Sequence, residues 1–163
     1  MKLQFKEDRY GWGDTFYIYD DQNQKKFKVS SSVFLLSKKV EIKDMNKKLV
    51  VTIKSEPKSL LKKKFYVVID GKQVAAITKE VSLIPKFTFE GIDWTMNGLM
   101  LREYDMLCDG LPVFTMHEEH TPWGERPVLN ISEGVDPALA LGVCMAVTYV
   151  TNMSDSEGST HHL

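Results

Sequence analysis

Cysteine is nearly missing from these 163 residues: Cys108 and Cys144 are the whole supply. Two thiols do not make the disulfide framework of a small secreted scaffold, so a reducing cytoplasm is the expected compartment. The opening stretch Met1-Lys2-Leu3-Gln4-Phe5-Lys6-Glu7-Asp8 lacks the apolar core of a secretory leader, which agrees with that expectation. Also absent are a Gly-rich phosphate loop, a Gly-x-Ser-x-Gly elbow, a paired-carboxylate motif and a calcium loop of the EF-hand type. Nothing therefore points to an enzyme or to a bound cofactor, and a non-enzymatic role is expected. Nucleic-acid modules are equally lacking, since no basic helix, zinc finger or ribonucleoprotein aromatic motif is present.

What is present is an ordinary globular composition, 43% apolar and 26% charged, at a length suited to one domain. The net charge of −1 conceals a split along the chain. Residues 1–86 hold 18 Lys and 1 Arg against 10 acids, a surplus of +9, while residues 87–163 hold 2 Arg against 12 acids, a deficit of −10. A division of this kind suits an anionic partner such as a membrane surface. If strands from the two halves interleave, however, the charges mix on the folded surface and the hint disappears.

Short β-branched and aromatic runs follow one another as hairpins. Tyr17-Ile18-Tyr19 turns at Asp20, Val40–Lys43 at Asp44, Phe65–Ile69 at Asp70-Gly71, and Tyr104–Cys108 at Asp109-Gly110. Runs of this type around Asp-Gly or Asn-containing turns are strong hairpin signals. Phe87–Glu90 and Trp94–Met96 read as a further pair, and Trp12-Gly13-Asp14 is echoed by Trp123-Gly124-Glu125. The Trp-Gly-acid corners are expected to cap barrel ends, with the ring inward and the glycine in a turn conformation. Alternation of apolar and polar residues, as in Val40 and Ile42 against Lys39, Glu41 and Lys43, gives each strand one buried face.

One segment breaks the pattern. Asp136-Pro137 is a good helix start, and from Ala138 to Val150 no charged residue occurs. A helix apolar on all sides lies inside a protein or inside a membrane. Fourteen residues rise about 21 Å, short of the roughly 30 Å hydrocarbon core but matched to the height of a barrel. The helix over 137–150 is therefore expected to be enclosed by strands, with Ala138, Gly142 and Ala146 as a small-residue stripe allowing close approach. The expected organisation is one domain over 1–153, followed by a disordered polar tail over 154–163.

The two Trp-Gly-acid corners, the Tyr-x-Asp hairpins, Phe89-Glu90-Gly91-Ile92-Asp93-Trp94 and the helix after Asp136 together resemble the bacterial LURP-one-related (YxjI-like) proteins. These belong to the tubby C-terminal-like superfamily, with the phospholipid scramblases. The resemblance implies a mostly β fold: a closed antiparallel barrel of about twelve strands around a central hydrophobic C-terminal helix. Tubby-like domains bind phosphoinositide head groups through Lys and Arg on the barrel exterior. No tubby binding residue matches a position here one for one.

Three groups of residues are candidate sites. The densest basic run, Lys58, Lys62, Lys63 and Lys64 with Lys38 and Lys39, is the candidate for anionic lipid or phosphoinositide, and Leu60 and Leu61 could dip into the interface. The bland reading makes these lysines guards of exposed strand edges. Charge-driven association with a protein partner or a second copy is the alternative function. Peripheral placement at a cytoplasmic membrane face fits the lipid reading, with no transmembrane segment. His117-Glu118-Glu119-His120 is the weaker, metal-binding alternative. Its histidines are three apart at the end of a strand, so alternation sends them to opposite faces, and only Cys108 stands as a nearby thiol. Cys144 is expected to be a packing residue.

Overall fold

The computed structural model describes residues 1–6, 15–34, 37–56, 62–80, 86–100 and 103–160, with side chains described for these except at 34, 56, 62, 99, 100 and 151–160. Twelve strands precede one helix: β1 (Lys2–Phe5), β2 (Thr15–Asp20), β3 (Lys25–Phe34), β4 (Ser37–Asp44), β5 (Leu49–Glu56), β6 (Lys62–Ile69), β7 (Lys72–Glu80), β8 (Lys86–Glu90), β9 (Thr95–Met100), β10 (Glu103–Cys108), β11 (Leu111–Thr121), β12 (Gly124–Ile131) and α1 (Pro137–Thr160). All twelve form one antiparallel sheet in the order β8-β7-β6-β5-β4-β3-β2-β1-β12-β11-β10-β9. The sheet curls into a nearly closed barrel. Phe87–Glu90 and Trp94–Met96, expected as a hairpin, are not paired: β8 and β9 are the two edges of the sheet. Residues Gly91–Trp94 bridge those edges, with Trp94 packed edge-on against Phe114 at 6.1 Å.

The four aspartates of the hairpin repeat all sit at one end of the barrel. Asp20 Oδ1 accepts from the backbone N–H groups of Gln22 and Gln24, and Asp44 Oδ1 accepts from those of Asn46 and Lys48. Such side-chain bonds stand in for backbone ones and hold the turn. At the other two turns both central residues have positive φ: Asp70 and Gly71 at 51° and 75°, Asp109 and Gly110 at 52° and 78°. That is the geometry whose twist suits a two-residue hairpin, and glycine adopts it without strain.

The helix enters from this same end and fills the interior, every residue from Ala140 to Val150 being buried. Asp136 caps it, its Oδ1 accepting from the N–H of Ala138 at 3.0 Å. It presses hardest against the walls formed by β5, β6 and β7. The close approach falls at Gly142, where an added Cβ would lie 2.8 Å from both Val51 Cγ2 and Val67 Cγ1. Inward residues from the strands complete the core, among them Leu3, Ile18, Val29, Ile42, Ile53, Phe65, Ile77, Met106, Phe114 and Leu129. The helix does not stop at Val150: its backbone continues to Thr160, into the stretch expected to be a polar tail. Beyond Val150 no proline or glycine interrupts the backbone hydrogen-bond ladder before Gly158.

Candidate anion-binding surface

Because the sheet order follows the chain, the two halves do not interleave. β1 to β8 form one arc of the wall and β9 to β12 the other, so the basic and acidic stretches of sequence become two sides of one barrel. The ladder then concentrates charge within the basic arc. Lys28 on β3 lies directly opposite Lys43 on β4, and Lys39 on β4 lies opposite Lys54 on β5. All four side chains are exposed, on the outward face that alternates with Val29, Val40, Ile42 and Ile53. Like charges directly opposite across a ladder repel. Among the described side chains Glu41 stands with them, half-buried, with an oxygen 3.6 Å from Lys39 Nζ.

The lysine run expected to act as one surface cluster is divided by the same alternation. The segment is the start of β6 and not a loop, so neighbouring side chains point to opposite faces. Lys63 shares the inward row with Phe65 and Val67 and is only 8% exposed. Lys64 points outward, 3.4 Å from Glu90 and over the ring of Tyr66 at 5.4 Å. Lys38 shares the inward row of Val40 and Ile42 and is half-buried; its backbone N–H donates to Ser55 Oγ at 3.1 Å. Lys39 is the member that lies on the outer basic face. Lys58, Leu60, Leu61, Trp12-Gly13-Asp14 and the side chain of Lys62 lie outside the described residues. Density in sequence does not single out Lys28 and Lys43, because the ladder register alone brings them beside Lys39 and Lys54.

The histidines are on opposite faces, as alternation requires. His117 is clamped on the acidic arc: Nδ1 is 2.7 Å from Glu103 Oε2, and Nε2 is 3.0 Å from Asp105 Oδ1. The bond to Glu103 does most to raise the imidazole pKa above its ordinary value; partial burial opposes this, and Asp105 adds to the rise. Glu103 is held below the ordinary carboxylate value, first by the backbone N–H of Glu118 and then by His117. With both ring nitrogens engaged, His117 has no lone pair to offer a metal. His120 instead meets Glu125 at 2.8 Å. Among the described residues no group of three or more His, Cys, Asp or Glu side chains is arranged to hold a metal ion. Cys108 is half-buried, and Cys144 is fully buried with its thiol pushed up to about 12 by that burial, beside Tyr104. A thiol so protonated is packing and not a nucleophile.

Trp123 departs from the expected inward corner. Gly124 takes its turn conformation with φ 109°, but the tryptophan is 43% exposed, and the Arg126 guanidinium lies over its ring at 5.8 Å. Arg126, 8% exposed, donates to Asn23 Oδ1 at 2.8 Å and to Gln4 Oε1 at 3.2 Å, tying β12 to β1 and to the turn after β2. Residues 122 and 103 positions apart in sequence meet there, and no local pattern announces it.

A near-closed antiparallel barrel of twelve strands threaded by its own C-terminal helix defines a helix-filled β-barrel domain. The profile of the family described as LURP-one-related matches residues 1–148, and the chain belongs to that family. It is 30% identical over 155 residues to the Uncharacterized protein YxjI of Bacillus subtilis (strain 168), covering 94% of this chain and 93% of the relative. Among solved structures it is similar to the X-ray structure of a protein from Arabidopsis thaliana, with a TM-score of 0.62 at 17% identity over 92% of this chain and 90% of the other. That likeness concerns the fold. Among the described residues no helix is long and apolar enough to cross a membrane.

Proposed function

We propose that this domain is a non-enzymatic binding module that docks peripherally on an anionic membrane surface, at the cytoplasmic face, through the outward lysines of β3, β4 and β5. One observation carries the reading: the register sets Lys28 against Lys43 and Lys39 against Lys54, all exposed, with Glu41 the one carboxylate among the described side chains beside them. An arrangement that costs folding stability is explained if an external anion relieves it. Four lysines at about 1 kcal/mol each near a charged leaflet suffice for reversible docking. The interior is filled by the helix, so an exterior surface suits the fold better than an internal cavity.

The acidic arc favours lipid over self-association. Three of its carboxylates are engaged within the same barrel: Glu103 and Asp105 with His117, and Glu119 with Lys2 at 2.9 Å. Those three are poorly placed to meet the lysines of a second copy.

Co-sedimentation with phosphatidylcholine vesicles containing phosphatidylserine or a phosphoinositide tests the reading. Binding is expected at low salt, to weaken steeply in 0.5 M salt (about the concentration at which the screening length falls to a few ångströms). Changing Lys39 and Lys54 together to Gln should reduce partitioning about tenfold or more. Unaltered partitioning of that folded variant would remove the outer face as the docking surface. A salt-sensitive dimer in sedimentation velocity, with no vesicle binding, would favour pairing through charge.

A further inference from the structure

Two of the hairpin turns share one backbone and carry different side chains. In the β2–β3 turn the N–H of Asp20 donates to the Gln24 carbonyl at 2.9 Å, and that of Asn23 to the Asp20 carbonyl at 3.1 Å. In the β4–β5 turn the N–H of Asp44 donates to the Lys48 carbonyl at 2.9 Å, and that of Lys47 to the Asp44 carbonyl at 3.1 Å. Each ladder shifts register at the same step, so Lys25 stands opposite Tyr19 and Leu49 opposite Lys43. The first turn carries Asp21, Gln22, Asn23, Gln24 and Lys25; the second carries Met45, Asn46, Lys47, Lys48 and Leu49. The backbone therefore does not call for apolar groups in the second turn, yet Met45 is 48% exposed and Leu49 45%. The left-handed position of the turn makes the same point. Asn23 occupies it at φ 62°, as a short polar residue can, whereas Lys47 holds φ 68° against the preference of a long side chain.

We infer that the β4–β5 turn enters the interfacial layer of an anionic bilayer, with Met45 and Leu49 among the upper acyl carbons and Lys43, Lys47 and Lys48 at the phosphates. The inference rests on the docking reading above and names the edge of the barrel that leads. Leu49 faces outward directly opposite Lys43, which stands opposite Lys28, so the turn continues the outer lysine face without a break. Lys43, Lys47 and Lys48 are exposed around the apolar pair. Apolar tips ringed by lysines match a charged interface, where the tips lose water and the ammonium groups meet head-group phosphates. The turn is already held by its own bonds, those to Asp44 Oδ1 included, so little ordering accompanies insertion. Leu111, at 71% the most exposed large apolar side chain among the described residues, lies beside the β10–β11 turn of the acidic arc. Repulsion from an anionic leaflet keeps that end of the barrel out of the layer.

The test uses the full chain with isotope-labelled methionine and leucine methyl groups, bound to phosphatidylcholine nanodiscs that contain phosphatidylserine. A nitroxide on the lipid acyl chain, close to the glycerol, should broaden the methyl signals of Met45 and Leu49 beyond detection and leave that of Leu111 sharp. Met45→Asp with Leu49→Lys places the side chains of the β2–β3 turn on the same backbone and leaves the net charge unchanged. That double variant should lower partitioning onto vesicles of the same lipids about tenfold or more. Lys47→Asn should raise the urea midpoint, by relieving the left-handed lysine, while weakening partitioning about fivefold. Vesicle binding with sharp Met45 and Leu49 signals would overturn insertion and leave docking through Lys39 and Lys54 standing. Partitioning unaltered in the folded double variant or in Lys47→Asn would do the same. A chain that binds no vesicles at all would remove both readings together.

Discussion

His117 Nδ1 on β11 stands 2.7 Å from Glu103 Oε2 on β10, and the second ring nitrogen faces Asp105 on the same strand. The imidazolium donates to both carboxylates and fastens the outer faces of two adjacent strands. Its folded pKa is raised, so the stabilisation is fully present below the ordinary imidazole value of about 6.5 and is lost as pH rises through the folded value. Glu103 behaves in the opposite sense: with its folded pKa lowered, its share is present above the ordinary carboxylate range and is lost as pH falls through the folded value. The clamp is therefore strongest in mildly acid solution. Because the groups are about two-fifths exposed, solvent screening keeps the effect small. Urea midpoints should decline from pH 6 to pH 8.5 by no more than about 0.5 M, and His117→Gln should flatten that decline. An unchanged slope in His117→Gln would assign the pH dependence to another group.

At Gly142 the helix lies against its wall with no room for a methyl group. Alanine is the better helix former by about 1 kcal/mol, yet here its Cβ would fall 2.8 Å from methyls of Val51 and Val67. Overpacking of a dense core typically costs about 1–3 kcal/mol, which outweighs the propensity gain. Gly142→Ala should lower stability in urea denaturation, and adding Val51→Ala should recover part of the loss. A more stable Gly142→Ala would mean that the wall yields easily at this point.

How far the sequence reveals this molecule depends on how local each determinant is. The hairpins were legible because their turns are made by the residues that mark them: Asp20 and Asp44 bind backbone two and four positions ahead, and Asp70-Gly71 and Asp109-Gly110 supply the positive φ angles. The enclosed helix was legible from its lack of charge between Ala138 and Val150. Its extension to Thr160 was not, since polar residues allow a helix to continue without requiring it. The lysine surfaces were only half legible. Density in sequence drew attention to Lys62, Lys63 and Lys64, whereas strand alternation and ladder register decide which lysines share a face. Those depend on where β6 begins and on which residue of β4 stands opposite Lys54, and neither is written in a local pattern. The missing β8–β9 pairing has the same origin, because barrel closure is a property of all twelve strands together.

The contact of Arg126 with Gln4 and Asn23 is the clearest case of a determinant with no local signature, and it carries its own consequence. The guanidinium is 8% exposed and its donors are directed at two amide oxygens, one on each flanking segment. Gln4 is itself buried and turns its Nε2 to the carbonyl of Asp20 at 2.9 Å, so its amide orientation is fixed by two partners. Removing the arginine would leave Gln4 Oε1 in a buried position without that donor, a loss of about 1–3 kcal/mol. Arg126→Met keeps the stem that packs beside Trp123 and removes only the charged fork, so it should lose most of this amount and also weaken the protection of β1 amides from hydrogen exchange. Both bonds leave the one nitrogen Nη1, so Arg126→Lys, whose ammonium carries three N–H donors, should recover part of the loss. Stability equal to wild type in Arg126→Met, with unchanged exchange at Leu3 and Phe5, would show that β1 is held by its ladders to β2 and β12 alone.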